Sequence, residues 1–419
     1  MKDIQPNIVN NNIIRSRVFL FAVLFFMWGL LTVLNFELIG HLKVIFHLNY
    51  ALSTLINITF FSSYLVISLF AGSLIKSVGY KKTIISGWLL ACVGCFIFYY
   101  AVYVGNYEYF LGALFVLAAG ITILQVSANL YLVLLGSNKA AASRLSFAQA
   151  FNSLGTVVAP FFAASVLGYH THIPAEVRKT IDAKDLLQMD AVHVHYPYLY
   201  LGILMLLFAV VLFLANIPNI DTRNLEPLNK ISSLRKRHVL HFPQLRLGAF
   251  AIFSYVGAEV ALANYIEDSA KDLTKYYWGL AMIGRFIGAA LLLKFSLRKA
   301  VIVSVSMSVL LILFSIVFTG EISIWFIVFV GLFNSILFPS LFTLGVNGLG
   351  KYSIDGSAIL IMFIVGGAVI PFNVINYSYV SYRIAFIIPI LCYIYIGLYA
   401  YRFSKFEIRD ELKDHHENL

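Results

Sequence analysis

Four carboxamides stand in apolar stretches where a polar side chain needs a physical reason. In Gly120–Gly136 (GITILQVSANLYLVLLG), Gln125 and Asn129 are spaced i, i+4, and in Leu145–Gly168 (LSFAQAFNSLGTVVAPFFAASVLG), Gln149 and Asn152 are spaced i, i+3. Either spacing sets both amides on one face of a helix. An amide turned toward hydrocarbon costs on the order of several kcal/mol unless it is bonded. These faces therefore line a polar cavity or seal a helix contact. A carboxamide both donates and accepts, which matches the hydroxyls of a neutral, hydroxyl-rich solute without requiring a charge. Asn35 joins the set in the first half of the chain, and Asn264, Asn334 and Asn373 are its counterparts in the second. The competing reading for every one of them is interhelical glue. Trp28 and Trp278 are placed to stack on a sugar ring, or to pack and anchor at the membrane interface.

Charges are the second feature. Glu259 and Arg285 are the charges that fall deep in apolar segments of the second half. Glu259 lies some seven residues before the outer end of its segment and Arg285 about nine residues into the next, so at about 1.5 Å per residue the two reach similar depth. Opposite charges of matched depth pair, because each is costly alone. Such a pair either makes and breaks during a transport cycle or locks two helices permanently. Glu37, in the outer part of the first apolar segment, is a proton acceptor or a solvated group at a cavity mouth.

The elements that must hold these residues are membrane spans. The chain has 419 residues, 60% of them hydrophobic and 12% charged, with a mean hydropathy of +0.85. No soluble domain of this length has that composition. Twelve spans are expected near 17–40, 50–75, 83–104, 109–135, 145–168, 198–217, 247–266, 276–295, 300–319, 322–345, 356–377 and 382–402. The net charge of +10 is a topology signal: of 30 Lys and Arg, 22 fall in segments on the side of the N-terminus, 7 on the other, and Arg285 lies within a span. That asymmetry puts both termini in the cytoplasm and argues against nucleic-acid binding. The first apolar run is too long for the core of a cleaved signal and is read as the first span.

Six spans precede the basic segment Ile217–Gln244 and six follow it, the outline of a carrier made of two bundles. The expected fold is all-α and polytopic: an N-terminal six-helix bundle (1–216), a cytoplasmic linker (217–244), a C-terminal six-helix bundle (245–403) and a cytoplasmic tail (404–419). A long extracytoplasmic loop is expected over 169–197, where His170, His172, His193 and His195 are read as solvated rather than as metal ligands. Cys92 and Cys95 form a CxxC inside an apolar span, where small residues pack helices. GVNGLGKY (Gly345–Tyr352) has phosphate-loop spacing, but Tyr352 occupies the Ser/Thr position and no strand precedes it. Gly284 and Gly288 make a small-xxx-small pair that lets one span approach a neighbour closely. No metal, cofactor or enzymatic chemistry is expected.

Several strings, in order, resemble the major facilitator superfamily, specifically its fucose/galactose/glucose–proton symporter branch. They are FFMWGLLTVLN (Phe25–Asn35), GSLIKSVGYKK (Gly72–Lys82), GITILQVSAN (Gly120–Asn129), RLSFAQAFNSLGTVVAP (Arg144–Pro160), YVGAEV (Tyr255–Val260), YYWGLAMIGRFIG (Tyr276–Gly288), GLFNSILFPSLFTL (Gly331–Leu344) and GSAILIMFIVGGAVIP (Gly356–Pro371). Gln125 is similar to the glucose/galactose transporters, since fucose permeases have a glutamate there. The resemblance implies a carrier that imports a hexose such as glucose or galactose by alternating access. Its coupling ion would be the proton, and it would work as a monomer in the cytoplasmic (inner) membrane of a bacterium. Phe36 stands where the family has a coupling aspartate, Lys76 where the superfamily has an acid, and FNVINYSYVSYR (Phe372–Arg383) where the family has a GxLAD-like stretch. Uniport, coupling through Glu259, a different small metabolite, and a sugar sensor that does not transport therefore remain alternatives.

Overall fold

A computed structural model of the chain describes residues 11–45, 50–104, 106–167, 183–215, 217, 218, 220, 222, 239–371 and 382–403. The side chains of 11–13, 35–45, 50–54, 102, 103, 160, 163–167, 183–195, 382, 383 and 403 lie outside that description. Every regular element among the described residues is helical. The long helices are α1 (Asn11–Ile45), α2 (Tyr50–Val78), α3 (Tyr80–Val104), α4 (Tyr107–Leu134), α5 (Ala141–Leu167), α6 (Ala183–Leu214) and α7 (Pro243–Leu291). They are followed by α8 (Leu297–Val317), α9 (Glu321–Asn334), α10 (Leu337–Val346), α11 (Ser353–Met362), α12 (Tyr382–Ala385) and α13 (Ile387–Phe403). Nine helical segments among the described residues are long and apolar enough to cross a membrane. Hydrocarbon leaves the backbone no water to bond, so helices that satisfy their own N–H and C=O groups are the available solution for an open chain.

α7 spans 49 residues, about 73 Å at 1.5 Å per residue, more than twice the ~30 Å of a bilayer core. It is two crossings bent at Ala270, whose backbone leaves the helical region (φ −159°, ψ 71°). The expected spans 247–266 and 276–295 leave 267–275 between them, and there the backbone stays helical except at Ala270. EDSAKDLTK (267–275) contains neither Gly nor Pro. Lys271 pairs with Glu267 one turn earlier at 3.6 Å, and Thr274 donates to Glu267 Oε2 at 2.8 Å, so one residue suffices to turn the chain. The loop expected over 169–197 is likewise shortened. α6 begins at Ala183 and runs through Pro197.

Two compact units emerge. One is the described part of Leu20–Asn129 and Phe151–Ile220; the other is that of Met1–Phe19, Leu130–Ala150 and Asp221–Leu419. In the first, α3 meets α4 where a Cβ on Gly120 would lie 2.5 Å from Ala91 N, so only hydrogen fits. In the second, the second limb of α7 presses on the region where α9 gives way to α10. A Cβ on Gly284 would lie 2.5 Å from both the Leu332 carbonyl and Ser335 Oγ, and one on Gly288 would collide with Ile336. The small-xxx-small expectation for this pair is met by a backbone carbonyl against Gly284 and the Ile336 side chain against Gly288.

The ladder breaks between α9 and α10. Pro339 has no N–H to give the carbonyl of Ser335 four residues back, and its ring crowds that oxygen. Ser340 N resumes bonding, to Ile336 O at 3.2 Å. One backbone acceptor is thus set loose within an apolar segment.

Gly284→Val should destabilise the protein by about 2 kcal/mol through overpacking. Gly279→Ala, where a Cβ meets nothing within 4 Å, should be neutral or stabilising by about 0.5 kcal/mol. Thermal unfolding in detergent reads both, and equal melting temperatures for the two variants would contradict the seam.

Candidate functional site

In the unit that carries α1 to α4, the amides are not loose polar groups. Gln125 Nε2 donates to the Tyr64 hydroxyl on α2 at 3.1 Å, and Gln125 Oε1 accepts from Asn129 Nδ2 at 3.5 Å. The i, i+4 spacing therefore produces a joined pair, with Asn129 fully buried and Gln125 half-buried. On α5, Asn152 Nδ2 donates to the Phe25 carbonyl of α1 at 3.0 Å. That bond sits where α1 and α5 cross most closely. A Cβ on Gly29 would strike the Asn152 backbone, and one on Gly155 would strike Phe26 O. Asn152 is half-buried and Gln149, one turn earlier, is buried. Both bonded ends of the first-half amides are thus visible, and Gln125 and Asn152 keep part of their surface open.

The turn between α4 and α5 is held by a residue that sequence reasoning passed over. Arg144 is buried and donates to three carbonyls, Leu132 (3.2 Å), Val133 (3.1 Å) and Ser137 (2.9 Å). The last carbonyls of a helix have no intrahelical partner and carry partial negative charge, so a guanidinium both satisfies and neutralises them. Arg144 fixes the register at which α5 leaves α4.

The second unit holds the charged pair. Glu259, on the first limb of α7, accepts from the Tyr255 hydroxyl at 2.8 Å, and Arg285 Nη2 on the second limb lies 4.0 Å from Glu259 Oε1. Both side chains are nearly enclosed, at 11% and 12% exposure. The matched depth expected from spacing becomes a real encounter. At 4.0 Å, however, it lies beyond hydrogen-bond length, and the carboxylate's short contact is to the tyrosine. Arg285 Nε donates instead to the Ser335 carbonyl at 3.4 Å, the oxygen that Pro339 leaves without an amide. The second limb is anchored from another side, where Ser146 donates to Arg285 O at 3.2 Å and Ser143 to Ala289 O at 2.6 Å.

A chain of neutral groups continues from this pair. The Tyr277 hydroxyl donates to the Glu259 carbonyl at 3.5 Å, Asn334 Nδ2 donates to the Tyr277 oxygen at 3.0 Å, and the Tyr393 hydroxyl donates to Asn334 Oδ1 at 2.8 Å. Asn334 is fully buried, with its amide committed at both ends to tyrosines on α7 and α13. This is the glue geometry. A carboxamide neither takes up nor releases a proton at physiological pH, so the chain orients Glu259 but does not conduct to it. Asn264 is half-buried on the first limb of α7. The side chains of Asn35 and Glu37, and Asn373 altogether, lie outside the described residues. Tyr64, Tyr255, Tyr277 and Tyr393 are the partners that sequence reasoning missed. Among 25 tyrosines, only Tyr255 carries a local signal, its i, i+4 spacing to Glu259. The second unit thus sets a carboxylate beside a guanidinium, and the first holds Gln125, Asn129 and Asn152, whose amides can both donate and accept.

The chain is similar to known proteins along most of its length. The sequence pattern of the Major Facilitator Superfamily matches residues 18–372. A glucose/galactose transporter of Brucella abortus biovar 1 (strain 9-941) is 40% identical over 398 residues, covering 92% of this chain and 93% of that one. The L-fucose-proton symporter of Escherichia coli (strain K12) is 28% identical over 410 residues, covering 92% and 93%. The crystal structure of the E. coli fucose:proton symporter FucP superposes with a TM-score of 0.82 at 26% identity, covering 93% of this chain and 98% of that one.

If Asn334 binds helices together, Asn334→Leu takes the acceptor from the Tyr393 hydroxyl and the donor from the Tyr277 oxygen and should cost about 2 kcal/mol of stability. Adding Tyr277→Phe and Tyr393→Phe to that variant should recover much of the loss, because no orphaned group then remains. Thermal unfolding of the single and triple variants decides. A triple variant less stable than the single would refute the glue role.

Proposed function

The chain belongs to the Major Facilitator Superfamily, and from that membership we propose that it is a secondary transporter, not an enzyme. It imports a monosaccharide, a hexose such as glucose or galactose, by alternating access and in symport with protons. The observation that carries this reading is the 40% identity to a glucose/galactose transporter over 92% of the chain. Proton coupling is supported by the similarity to the fucose:proton symporter, and a buried carboxylate beside an arginine is a group that a proton can load and unload.

In this reading Gln125, Asn129, Gln149 and Asn152, with Asn35, Asn264 and Asn373, are the amides that meet sugar hydroxyls. Asn334 supports them by fixing the helices behind. Glu259 and Arg285 couple, and Glu37 is a second acid near the outer end of α1. The working unit is a monomer of two six-helix bundles, 1–216 and 245–403, joined by 217–244 and ending in the tail 404–419. It sits in the inner membrane of a bacterium with both termini cytoplasmic. The split of basic residues, 22 against 7, supports that orientation.

One observation favours a second reading. Phe36 occupies the position of the family's coupling aspartate, so a uniporter that merely equilibrates the hexose is the alternative.

Counterflow in proteoliposomes across a panel of sugars tests the substrate, with glucose and galactose expected to exchange and to compete with each other. An inward proton gradient of one pH unit stores about 1.4 kcal/mol, enough for about tenfold accumulation at one proton per sugar. Accumulation approaching that value supports symport; equilibration alone establishes the uniport reading. Glu259→Gln and Arg285→Gln should each abolish accumulation while Glu259→Gln retains exchange. Full accumulation by both variants would remove the pair from the coupling mechanism.

A further inference from the structure

We propose that Pro339 is a positioning residue for proton coupling. By leaving the Ser335 carbonyl without an amide partner, it supplies the acceptor that holds the Arg285 guanidinium off Glu259. The inference rests on the reading of Glu259 as the coupling acid and adds how its arginine is kept from locking it.

Three observations meet at one place. Pro339 lies four residues after Ser335, so in a continuous helix its N–H would bond the Ser335 carbonyl, and proline has none. That carbonyl accepts from Arg285 Nε at 3.4 Å. The same guanidinium, through Nη2, stops 4.0 Å short of Glu259 Oε1, while Tyr255 reaches that oxygen at 2.8 Å. A guanidinium is a rigid planar fork. Fixing Nε on a backbone oxygen therefore limits how far Nη2 advances. The break between α9 and α10 lies beside the Gly284 seam, where the Ser335 side chain stands against α7, so the acceptor cannot be replaced by a shift of the whole helix. Among the described residues, the titratable and charged groups facing Glu259 are Tyr255 on its own limb, Arg285 and Tyr277 on the second limb of α7, and, through Asn334, Tyr393 on α13.

A carboxylate clamped by a guanidinium at contact distance holds its charge firmly and resists protonation. One held at arm's length, with a neutral hydroxyl as its close partner, is readily protonated when the site opens to the acidic side. The proton then binds a Glu259 oxygen, the Tyr255 hydroxyl turns or yields, and Arg285 keeps its charge and its carbonyl partner. Releasing the proton on the other side reverses each step. No bond other than the O–H of Glu259 forms or breaks.

Pro339→Ala restores the missing N–H. The amide at 339 should reclaim the Ser335 carbonyl and free Arg285 to close on Glu259. Proteoliposomes carrying this variant should still exchange sugar in counterflow, but accumulation driven by a proton gradient should fall about tenfold, and the pH of half-maximal uptake should move lower. A general packing defect would instead reduce exchange and accumulation together and leave the pH profile in place, and that result overturns the proposal. A second arm needs no transport. In thermal unfolding, Glu259→Gln should lower the melting temperature more in the Pro339→Ala background than in the wild type, because the variant's ion pair is tighter. An equal or smaller drop overturns the positioning role, even if the wild type proves to be a uniporter and the symport reading itself has failed. If Pro339→Ala does not fold, Pro339→Gly, which also restores the N–H, serves: accumulation should fall while exchange persists, and wild-type accumulation by this variant refutes the proposal.

Discussion

Burying Glu259 and Arg285 inside a hydrocarbon-facing bundle is the constraint that organises the second unit. Each charge alone would be expensive there, and their mutual attraction at 4.0 Å does not by itself offset the lost hydration. The surroundings make up the difference with bonds that need no opposite charge: the Tyr255 hydroxyl on the carboxylate and the Ser335 carbonyl on the guanidinium. Each of those depends on a local choice of backbone. Tyr255 reaches Glu259 because they are one helical turn apart, and the Ser335 carbonyl is open because Pro339 interrupts the ladder. The close approach forced at Gly284 brings the second limb of α7 near enough to use it. Packing, helix breakage and electrostatics are thus a single arrangement.

The neutral network beyond the pair serves the same end. Tyr277, Asn334 and Tyr393 are buried aromatics and an amide whose polar ends find one another, so three helices are tied without a further charge in the apolar interior. Such bonds are modest in a membrane, on the order of 1 kcal/mol each. Their value is geometric. They fix the backbone that carries Glu259, since the Tyr277 hydroxyl donates to the Glu259 carbonyl.

The first unit meets a different requirement with the same vocabulary. Gln125 is bonded at both ends of its amide, to Tyr64 and to Asn129, whereas Asn152 uses one end to grip the α1 backbone, and both side chains remain partly exposed. An amide pre-oriented by one bond and open at another suits recognition of hydroxyls, since little rotamer freedom is left to lose on binding. In the second unit Arg144 does the same for the backbone, satisfying the carbonyls of Leu132, Val133 and Ser137.

Membrane residence and the helical class were legible in the chain alone, because an apolar run of a given length has one stable form in hydrocarbon. The matched depth of Glu259 and Arg285 was legible too, since helical rise converts residue number into height. The amide spacing of Gln125 and Asn129 predicted their shared face for the same reason of periodicity. Other outcomes had no such local rule. EDSAKDLTK falls between two expected spans, yet its own pairing keeps it helical around Ala270. Asn334 and Asn152 looked alike as buried amides, and only their neighbours assign one wholly to tyrosines while the other keeps an open side. The tyrosine partners and the free Ser335 carbonyl stayed hidden because they arise where helices far apart in sequence cross. Periodicity along one helix fixes height and face; which atoms occupy the facing helix at that height is decided only by how the helices pack.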